Sequence, residues 1–184
     1  MNRFGHYHDP WGRWIVEGQT SPYRHTSKWA VVIRVWAAVG WMGRPPLFRI
    51  PKAMTGAAFA RFMAKTAVPA MIALAGNPAR RWRLVQDGDG CHRAKITLQT
   101  LQNLGVRVVA PWPARSPDLN VIENVWSMLG QRLQNHHATT EAGLWHALQE
   151  SWNTIPQQHI KNCVRSMPAR LQEVIAARGG QTHY

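Results

Sequence analysis

Residues 112–126 read WPARSPDLNVIENVW, a proline-bearing loop that leads into a helical pattern. From Ile122 to Leu133, apolar residues recur at positions i, i+3, i+4, i+7 and i+11, which is the period of one face of an α-helix. Glu123 lies at the flank of this stripe, one residue after its first member. A carboxylate at that place either faces solvent or belongs to a site beside the packed face, and the pattern leaves both interpretations open.

A second acid ends a short apolar stretch earlier in the chain. Residues 83–87 (RLVQD) predict a β-strand that ends on Asp87. Ligands in open α/β sheets bind beyond the carboxyl ends of strands, so Asp87 is a candidate metal ligand. Gly88-Asp89-Gly90 follows, and a tight turn explains the same residues without a metal. His92, five residues after Asp87, can orient a ligand, contact a phosphate or simply lie on the surface.

Strand and helix patterns alternate along the rest of the chain. Residues 29–39 (WAVVIRVWAAV) are dense in β-branched and aromatic side chains and predict a buried strand, with residues 47–50 as its hairpin partner. The other predicted elements are a helix capped by Thr55 that Pro69 should kink or break, a helix over 92–104, a strand over 106–110, and helices over about 140–153 and 168–177. This order predicts a mixed α/β layer fold.

The charge balance narrows the class of partner. The chain has 184 residues, with 22 Lys and Arg against 9 Asp and Glu, a formal net charge of +13 and 45% apolar residues. That apolar content can build a core and argues against a disordered chain, while the charge favours a polyanion such as nucleic acid. The longest uncharged stretch, residues 66–79, has 14 residues and contains prolines, so it predicts no membrane span. Two cysteines without Cys-x-x-Cys spacing predict neither a disulfide framework nor a zinc site.

The few acids are distributed unevenly. Four of the nine fall within 37 residues: Asp87, Asp89, Asp118 and Glu123. Two carboxylates about 4 Å apart repel by about 4 kcal/mol at an effective dielectric of about 20, so acids that share a site need a cation. Asp118 follows Ser116-Pro117 at a helix start, where capping explains it without a metal.

The basic residues are dispersed, which favours contacts with phosphates over recognition of bases. The cations predicted to bind DNA are Arg81, Arg83, Arg93, Lys95 and Arg115. Trp11, Trp41 and Trp112, in predicted loops or turns, are candidates for base stacking.

Three segments together carry a family resemblance: residues 84–92 (LVQDGDGCH), 112–126 and 166–184 (SMPARLQEVIAARGGQTHY). They resemble the catalytic domain of Tc/mariner-superfamily transposases, which belong to the DDE group, and residues 31–38 resemble that family's central hairpin. The resemblance implies an α/β fold, a ribonuclease H-like mixed sheet flanked by helices, here with the first strand largely missing and with extra C-terminal helices.

The resemblance also implies a mechanism and roles for residues. In such enzymes three carboxylates hold two Mg²⁺ or Mn²⁺ ions, which activate water and then a DNA 3′-hydroxyl for attack on phosphodiesters. By position, Asp87 is the second carboxylate and Glu123 the third, both catalytic and metal-binding. His92 and Asn120 match supporting positions, and Asp118 is interpreted as structural.

The family's leading Asp has no counterpart in the expected context. If Phe4 is the aromatic that follows it, that Asp falls just before Met1, and Asp9 lies in a different local context. We therefore expect a transposase catalytic domain for metal-dependent cleavage and strand transfer that is defective in this chain. The alternative is a non-catalytic DNA-binding transposase remnant or co-opted protein, and a basic RNA-binding structural protein is a further one.

The same resemblance predicts the organisation and surroundings of the chain. We expect a single catalytic domain over 1–184, with an irregular leading segment (1–28), a ribonuclease H-like core (29–135) and C-terminal helices (136–184), and without a helix-turn-helix domain. The implied partners are transposon-end and target DNA and, as one arrangement, a second copy of the chain, with no membrane. The implied location is the nucleus of a eukaryotic host, or the cytoplasm and nucleoid of a bacterial one.

Overall fold

Three short strands form an antiparallel sheet in the order β1-β2-β3: β1 (Asn2–Phe4), β2 (Ile33–Trp36) and β3 (Phe48–Ile50). The structure, a computed structural model, describes residues 2–4, 31–76, 82–113, 116–134, 136, 138–180 and 182–184. Asn2 pairs with Val35, and Trp36 pairs with Phe48, so β2 is the central strand. The predicted hairpin is confirmed, with a shorter β2 than the pattern indicated. The predicted leading segment lies outside the described residues except for β1.

Helices supply most of the remaining regular structure. Their bounds are α1 (Gly56–Phe62), a π-helical segment (Met63–Ala67), α2 (Val68–Ala75), α3 (Gly90–Arg93), α4 (Lys95–Asn103), a 3₁₀ turn (Pro117–Leu119), α5 (Val121–Leu133), α6 (Glu141–Thr154), α7 (Gln157–Arg165) and α8 (Met167–Ala176). The Thr55 side chain accepts a hydrogen bond from the Ala58 amide, which confirms the predicted cap of α1.

Pro69 does not break its helix, which was one of the two outcomes that the sequence predicted; the other outcome, a kink, stays a prediction. A proline removes one amide donor and crowds the carbonyl four residues earlier. The chain widens into the π-helical segment just before it, where the Val68 amide donates to the Met63 carbonyl, five residues back. The resulting continuous helix, Gly56–Ala75, has 20 residues and a mean hydropathy of 1.3, which by length and composition alone would allow a membrane span. Core helices pass the same test, and Phe59, Met63 and Val68 of this helix are buried.

The two strands predicted over 83–87 and 106–110 are reduced to one pair of residues. Leu84 and Val108 form an isolated parallel bridge, and neither segment continues as a strand. The helix predicted over 92–104 is also divided, because Ala94 has an extended backbone (φ −58°, ψ 134°) between α3 and α4. Its predicted end is confirmed: Gly105 follows with a φ of 73°, a left-handed conformation that suits glycine.

The chain forms two compact units, each with its own core. The first contains the described parts of Met1–Trp36, Leu47–Lys52 and Val125–Ile155. Its buried side chains include Val125, Trp126 and Leu129, which confirms the apolar stripe of α5, and the Trp126 and Trp152 rings lie 5.8 Å apart. The second unit contains Ala37–Pro46, Ala53–Asn124 and Pro156–Tyr184. Its core includes Phe59, Met63, Val68, Leu101 and Ile160. The domain boundaries predicted at residues 28 and 135 stay a prediction.

Candidate active site

A short parallel backbone contact positions the segment that carries Asp87. The Leu84 amide donates to the Arg107 carbonyl at 2.8 Å, and the Val109 amide donates to the Leu84 carbonyl at 2.9 Å. Leu84 is buried, so the contact anchors the segment in the core of the second unit. Asp87 follows three residues later, past the carboxyl end of this bridge, which is where the sequence argument placed it.

Asp87 is held by its own turn and by a histidine that the turn brings back. Its Oδ1 lies 2.6 Å from His92 Nδ1 and accepts a hydrogen bond from the Asp89 amide at 3.2 Å. Asp89 in turn accepts from the Cys91 amide at 3.0 Å, so it caps α3, the four-residue helix that contains His92. The turn interpretation of this segment and the ligand interpretation of Asp87 are therefore compatible, because the turn orients the carboxylate.

The electrostatics keep Asp87 ionised. The hydrogen bond from His92 holds the pKa of the Asp87 carboxyl well below its usual range, against partial burial, which raises it. The Asp87 side chain remains 40% exposed, so a ligand from solvent can reach this part of the turn.

His92 lies inside the protein and not on its surface. The side chain is 5% exposed, and its ring lies 4.6 Å from the Phe59 ring. An ionised carboxylate only accepts hydrogen bonds, so Nδ1 carries the proton in the contact with Asp87. Nε2 is buried and has no hydrogen-bond partner within the described part of the chain. This geometry makes His92 a residue that orients Asp87 and leaves it no surface from which to contact a phosphate.

Glu123 lies in the first turn of α5 and is half-buried. Its amide donates to the Asn120 carbonyl at 2.9 Å, and Asn120 is itself buried, so the start of the helix is fixed. Asp87 and Glu123 belong to the same compact unit. Within the described residues, however, no group of three or more His, Cys, Asp or Glu side chains is arranged to hold a metal ion.

Asp118 binds a segment distant in sequence instead of capping α5. Its Oδ2 accepts a hydrogen bond from the Thr182 amide at 2.9 Å, and its carbonyl accepts one from the Arg170 guanidinium. Arg170 is only 1% exposed, donates to Ser166 Oγ at 3.0 Å, and lies 4.6 Å from the Tyr184 ring. The structural interpretation of Asp118 is thus supported by different contacts from those expected. Sequence reasoning missed Arg170, for which the only available signal was its place in the 166–184 segment.

Three of the five cations predicted to bind DNA can be located. Arg83, Arg93 and Lys95 are exposed and flank the Asp87 turn in sequence, while Arg81 and Arg115 lie outside the described residues. Exposed cations beside an ionised acid suit a ligand that carries both phosphate and a divalent cation.

The carboxylates of Asp87 and Glu123 are the kind of ligand that a hard divalent cation prefers, but they are fewer than three. Asp87 and Glu123 offer carboxylate oxygens, the ligands that Mg²⁺ and Mn²⁺ prefer. The His92 contact with Asp87 is the kind of outer hydrogen bond that orients a metal-binding carboxylate. The described residues therefore offer carboxylates of the kind such a cation prefers, and their role as metal ligands stays a prediction.

Comparison with known proteins matches most of the chain, including the segments that carry Asp87 and Glu123. The sequence profile of the DDE superfamily endonucleases matches residues 4–143. The Tc1 transposase of Caenorhabditis elegans is 30% identical over 187 residues, covering 100% of this chain and 67% of that protein. The Tcb1 transposase of Caenorhabditis briggsae is 30% identical over 152 residues, covering 83% of this chain and 54% of that protein. The chain thus spans about half to two thirds of the length of these relatives.

Solved structures agree on the fold. The catalytic domain of Mos1 transposase, solved with raltegravir and Mg, superposes with a TM-score of 0.70 at 18% identity, covering 83% of this chain and 77% of that one. A Mos1 paired-end complex with the left transposon end gives a TM-score of 0.73 at 16% identity, covering 92% of this chain and 50% of that one. The predicted ribonuclease H-like α/β fold is confirmed by these neighbours.

Proposed function

Because this chain belongs to the Tc/mariner transposases of the DDE superfamily endonucleases, we propose that it cleaves and joins DNA strands with Asp87 and Glu123 as metal-binding carboxylates. The observation that carries this proposal is the ionised, partly exposed Asp87 carboxylate oriented by a buried His92 at 2.6 Å. Solved Mos1 catalytic domains contain Mg or Mn, which supports the same cofactor here.

Each part of the proposed site has a separate task. A bound divalent cation supplies Lewis-acid activation of the attacking water or 3′-hydroxyl. Asp87 offers an anionic ligand without first losing a proton, because its pKa is lowered. The fixed first turn of α5, closed by Asn120, limits the movement of Glu123. The exposed Arg83, Arg93 and Lys95 neutralise phosphates near the Asp87 turn.

We further propose that these 184 residues cleave DNA slowly by themselves. Two carboxylates attract a pair of dications less strongly than three carboxylates do. The described residues contain no cluster of three His, Cys, Asp or Glu side chains that could hold a metal ion. A non-catalytic DNA-binding role is the second candidate function, and the net charge of +13 supports it equally well. The proposed DNA partners are transposon ends and target DNA, since solved Mos1 relatives include paired-end complexes. Those complexes also support assembly of two copies. As the location we propose the nucleus of a eukaryotic host, or the cytoplasm and nucleoid of a bacterial one.

Nicking of supercoiled plasmid in Mn²⁺ tests the proposal. The chain should nick slowly but above the EDTA background, and Asp87→Asn or Glu123→Gln should each return the rate to that background. Glu150→Gln is the matched control, because Glu150 is an exposed carboxylate on α6, and it should nick as the parent does. If Asp87→Asn nicks at the parent rate, the site assignment is wrong. If the parent binds DNA but never exceeds the background, the non-catalytic function is favoured.

A further inference from the structure

The turn between β2 and β3 exposes two large apolar side chains. Gly40 and Gly43 close it with hydrogen bonds in both directions, at 2.9 and 3.2 Å. Between them Trp41 is 45% exposed and Met42 is 62% exposed. Gly43 has a φ of +146°, and a Cβ there would meet the Leu74 side chain at 3.0 Å, so the turn requires glycine at this position. A closed turn with two exposed apolar residues at its tip is a candidate contact surface.

Helix α7 holds this turn and adds positive charge to it. Gln157 Nε2 donates to the Gly40 carbonyl at 2.9 Å. Further along α7, Lys161 Nζ lies 5.6 Å and the Arg165 guanidinium 5.3 Å from the centre of the Trp41 ring. Lys161 and Arg165 are four residues apart and therefore share one face of the helix. We call the four side chains Trp41, Met42, Lys161 and Arg165 the Trp41 platform.

We propose that the Trp41 platform binds unpaired nucleotides of a DNA strand, with a base stacked on the indole and the neighbouring phosphates on Lys161 and Arg165. The two cations lie over the Trp41 ring, and Trp41 is still 45% exposed, so a base can stack on the part of the indole that they leave uncovered. Aromatic rings combined with cations are what proteins use to bind single strands. In a duplex the base faces are already stacked on one another, so the indole gains a partner only from bases that have come apart. The chain carries a net charge of +13, which favours a polyanionic occupant over an ordinary protein surface.

This inference rests on the proposed function for the identity of the partner as DNA. A strand-cleaving enzyme produces strand ends, and bases at an end unstack more readily than bases within a duplex. The platform is separate in sequence from the Asp87 turn and from Glu123, so its contribution to binding can be measured apart from cleavage.

The test compares single-stranded and duplex binding by fluorescence anisotropy, using labelled oligo-dT and a mixed-sequence duplex of equal length. Trp41→Ala should weaken binding of the single strand by about 5- to 150-fold and should leave duplex binding nearly unchanged. The affinity of Trp41→Phe for the single strand should lie between those of the parent and of Trp41→Ala. Circular dichroism melts show whether each variant is folded. Replacing both Lys161 and Arg165 by Gln should lower the salt slope of single-strand binding by about 1.4, because each neutralised phosphate contributes about 0.7 to that slope.

The matched charge control is the pair Arg61→Gln and Lys65→Gln. These residues are also exposed cations four apart in sequence, on the continuous helix Gly56–Ala75, and they lie outside the Trp41 platform. This control should lower single-strand affinity less than the Lys161 and Arg165 pair does. The platform assignment is overturned if Trp41→Ala binds oligo-dT like the parent, if it weakens duplex binding equally, or if its main effect in gel filtration is the loss of a dimer. Asp87→Asn separates the two proposals, because it should abolish nicking and keep the Trp41 dependence of binding.

Discussion

Gly56 begins α1 at a place that leaves no room for a side chain. A Cβ on Gly56 would lie 2.4 Å from the Cβ of Ala94, far inside contact distance. Ala94 cannot rotate away, because a Cβ is fixed by its backbone. Thr97 Oγ1 also donates to the Gly56 carbonyl at 3.2 Å, which holds the start of α4 against the start of α1. We therefore predict that Gly56→Ala destabilises the protein.

The expected change in the free energy of unfolding is the difference between two opposing contributions. Overpacking of this kind costs about 1–3 kcal/mol, and alanine in place of a helical glycine contributes about 0.5–1 kcal/mol of stability. The expected net loss is about 0.5–2 kcal/mol in the free energy of unfolding. For a chain of this size that corresponds to a fall in Tm of about 1–8 °C.

Thermal melts followed by circular dichroism at the helix band measure this change. Gly130→Ala is the matched control, since Gly130 lies within α5 and nothing is within 4 Å of an added Cβ; it should raise Tm slightly. The double variant Gly56→Ala with Ala94→Gly removes the clashing atom and should recover most of the loss. If Gly56→Ala melts at or above the parent, or if the double variant melts lower than Gly56→Ala, the packing argument is refuted.

Three further predictions concern the site and its supports. His92→Phe should keep the packing against the neighbouring ring and remove the hydrogen bond to Asp87, weakening Mn²⁺ binding in EPR titrations by about tenfold or more; unchanged Mn²⁺ binding would show that His92 does not orient the ligand. Arg170→Met should lower the free energy of unfolding in urea by about 1–3 kcal/mol, because the part-buried carbonyl of Asp118 is deprived of its charged donor; a decrease below about 0.5 kcal/mol would contradict the role of that hydrogen bond. Burial raises the pKa of the Cys91 thiol to about 12, and the thiolate is the reactive form. N-ethylmaleimide at pH 8 should therefore modify the half-buried Cys163 before Cys91 by mass spectrometry, and equal rates would argue against burial of Cys91.

Short sequence patterns correctly predicted the elements that are stabilised by contacts between residues close together in the chain. The cap at Thr55, the stop at Gly105 and the stripe of α5 each depend on residues a few positions apart, and the hairpin pairs segments that are neighbours along the chain. The structure confirms all four. The metal-ligand roles of Asp87 and Glu123 were predicted from the family resemblance and stay predictions, although the geometry around Asp87 supports its role.

The errors arose where packing and side-chain hydrogen bonds override the helical pattern. Pro69 was expected to kink or break its helix, but the helix continues past it: continuing buries Val68 and Met71, and a wider turn accommodates the proline. The helix predicted over 92–104 is divided at the extended Ala94, and His92, in the short helix before it, turns inward to Asp87. No spacing in the sequence indicates that this histidine is buried.

Arg170 shows most clearly why sequence alone was insufficient here. An arginine in an amphipathic helix is typically solvent-facing, and the chain has many cations of that kind. This one is buried because the segment 182–184 returns to the 3₁₀ turn before α5, where Asp118 binds both Thr182 and Arg170. That turn leads directly into the first turn of the helix that carries Glu123. Arg170 and Thr182 thus fasten the turn that precedes the helix on which a metal-binding carboxylate is predicted, a contact over more than 50 residues that no local pattern indicates.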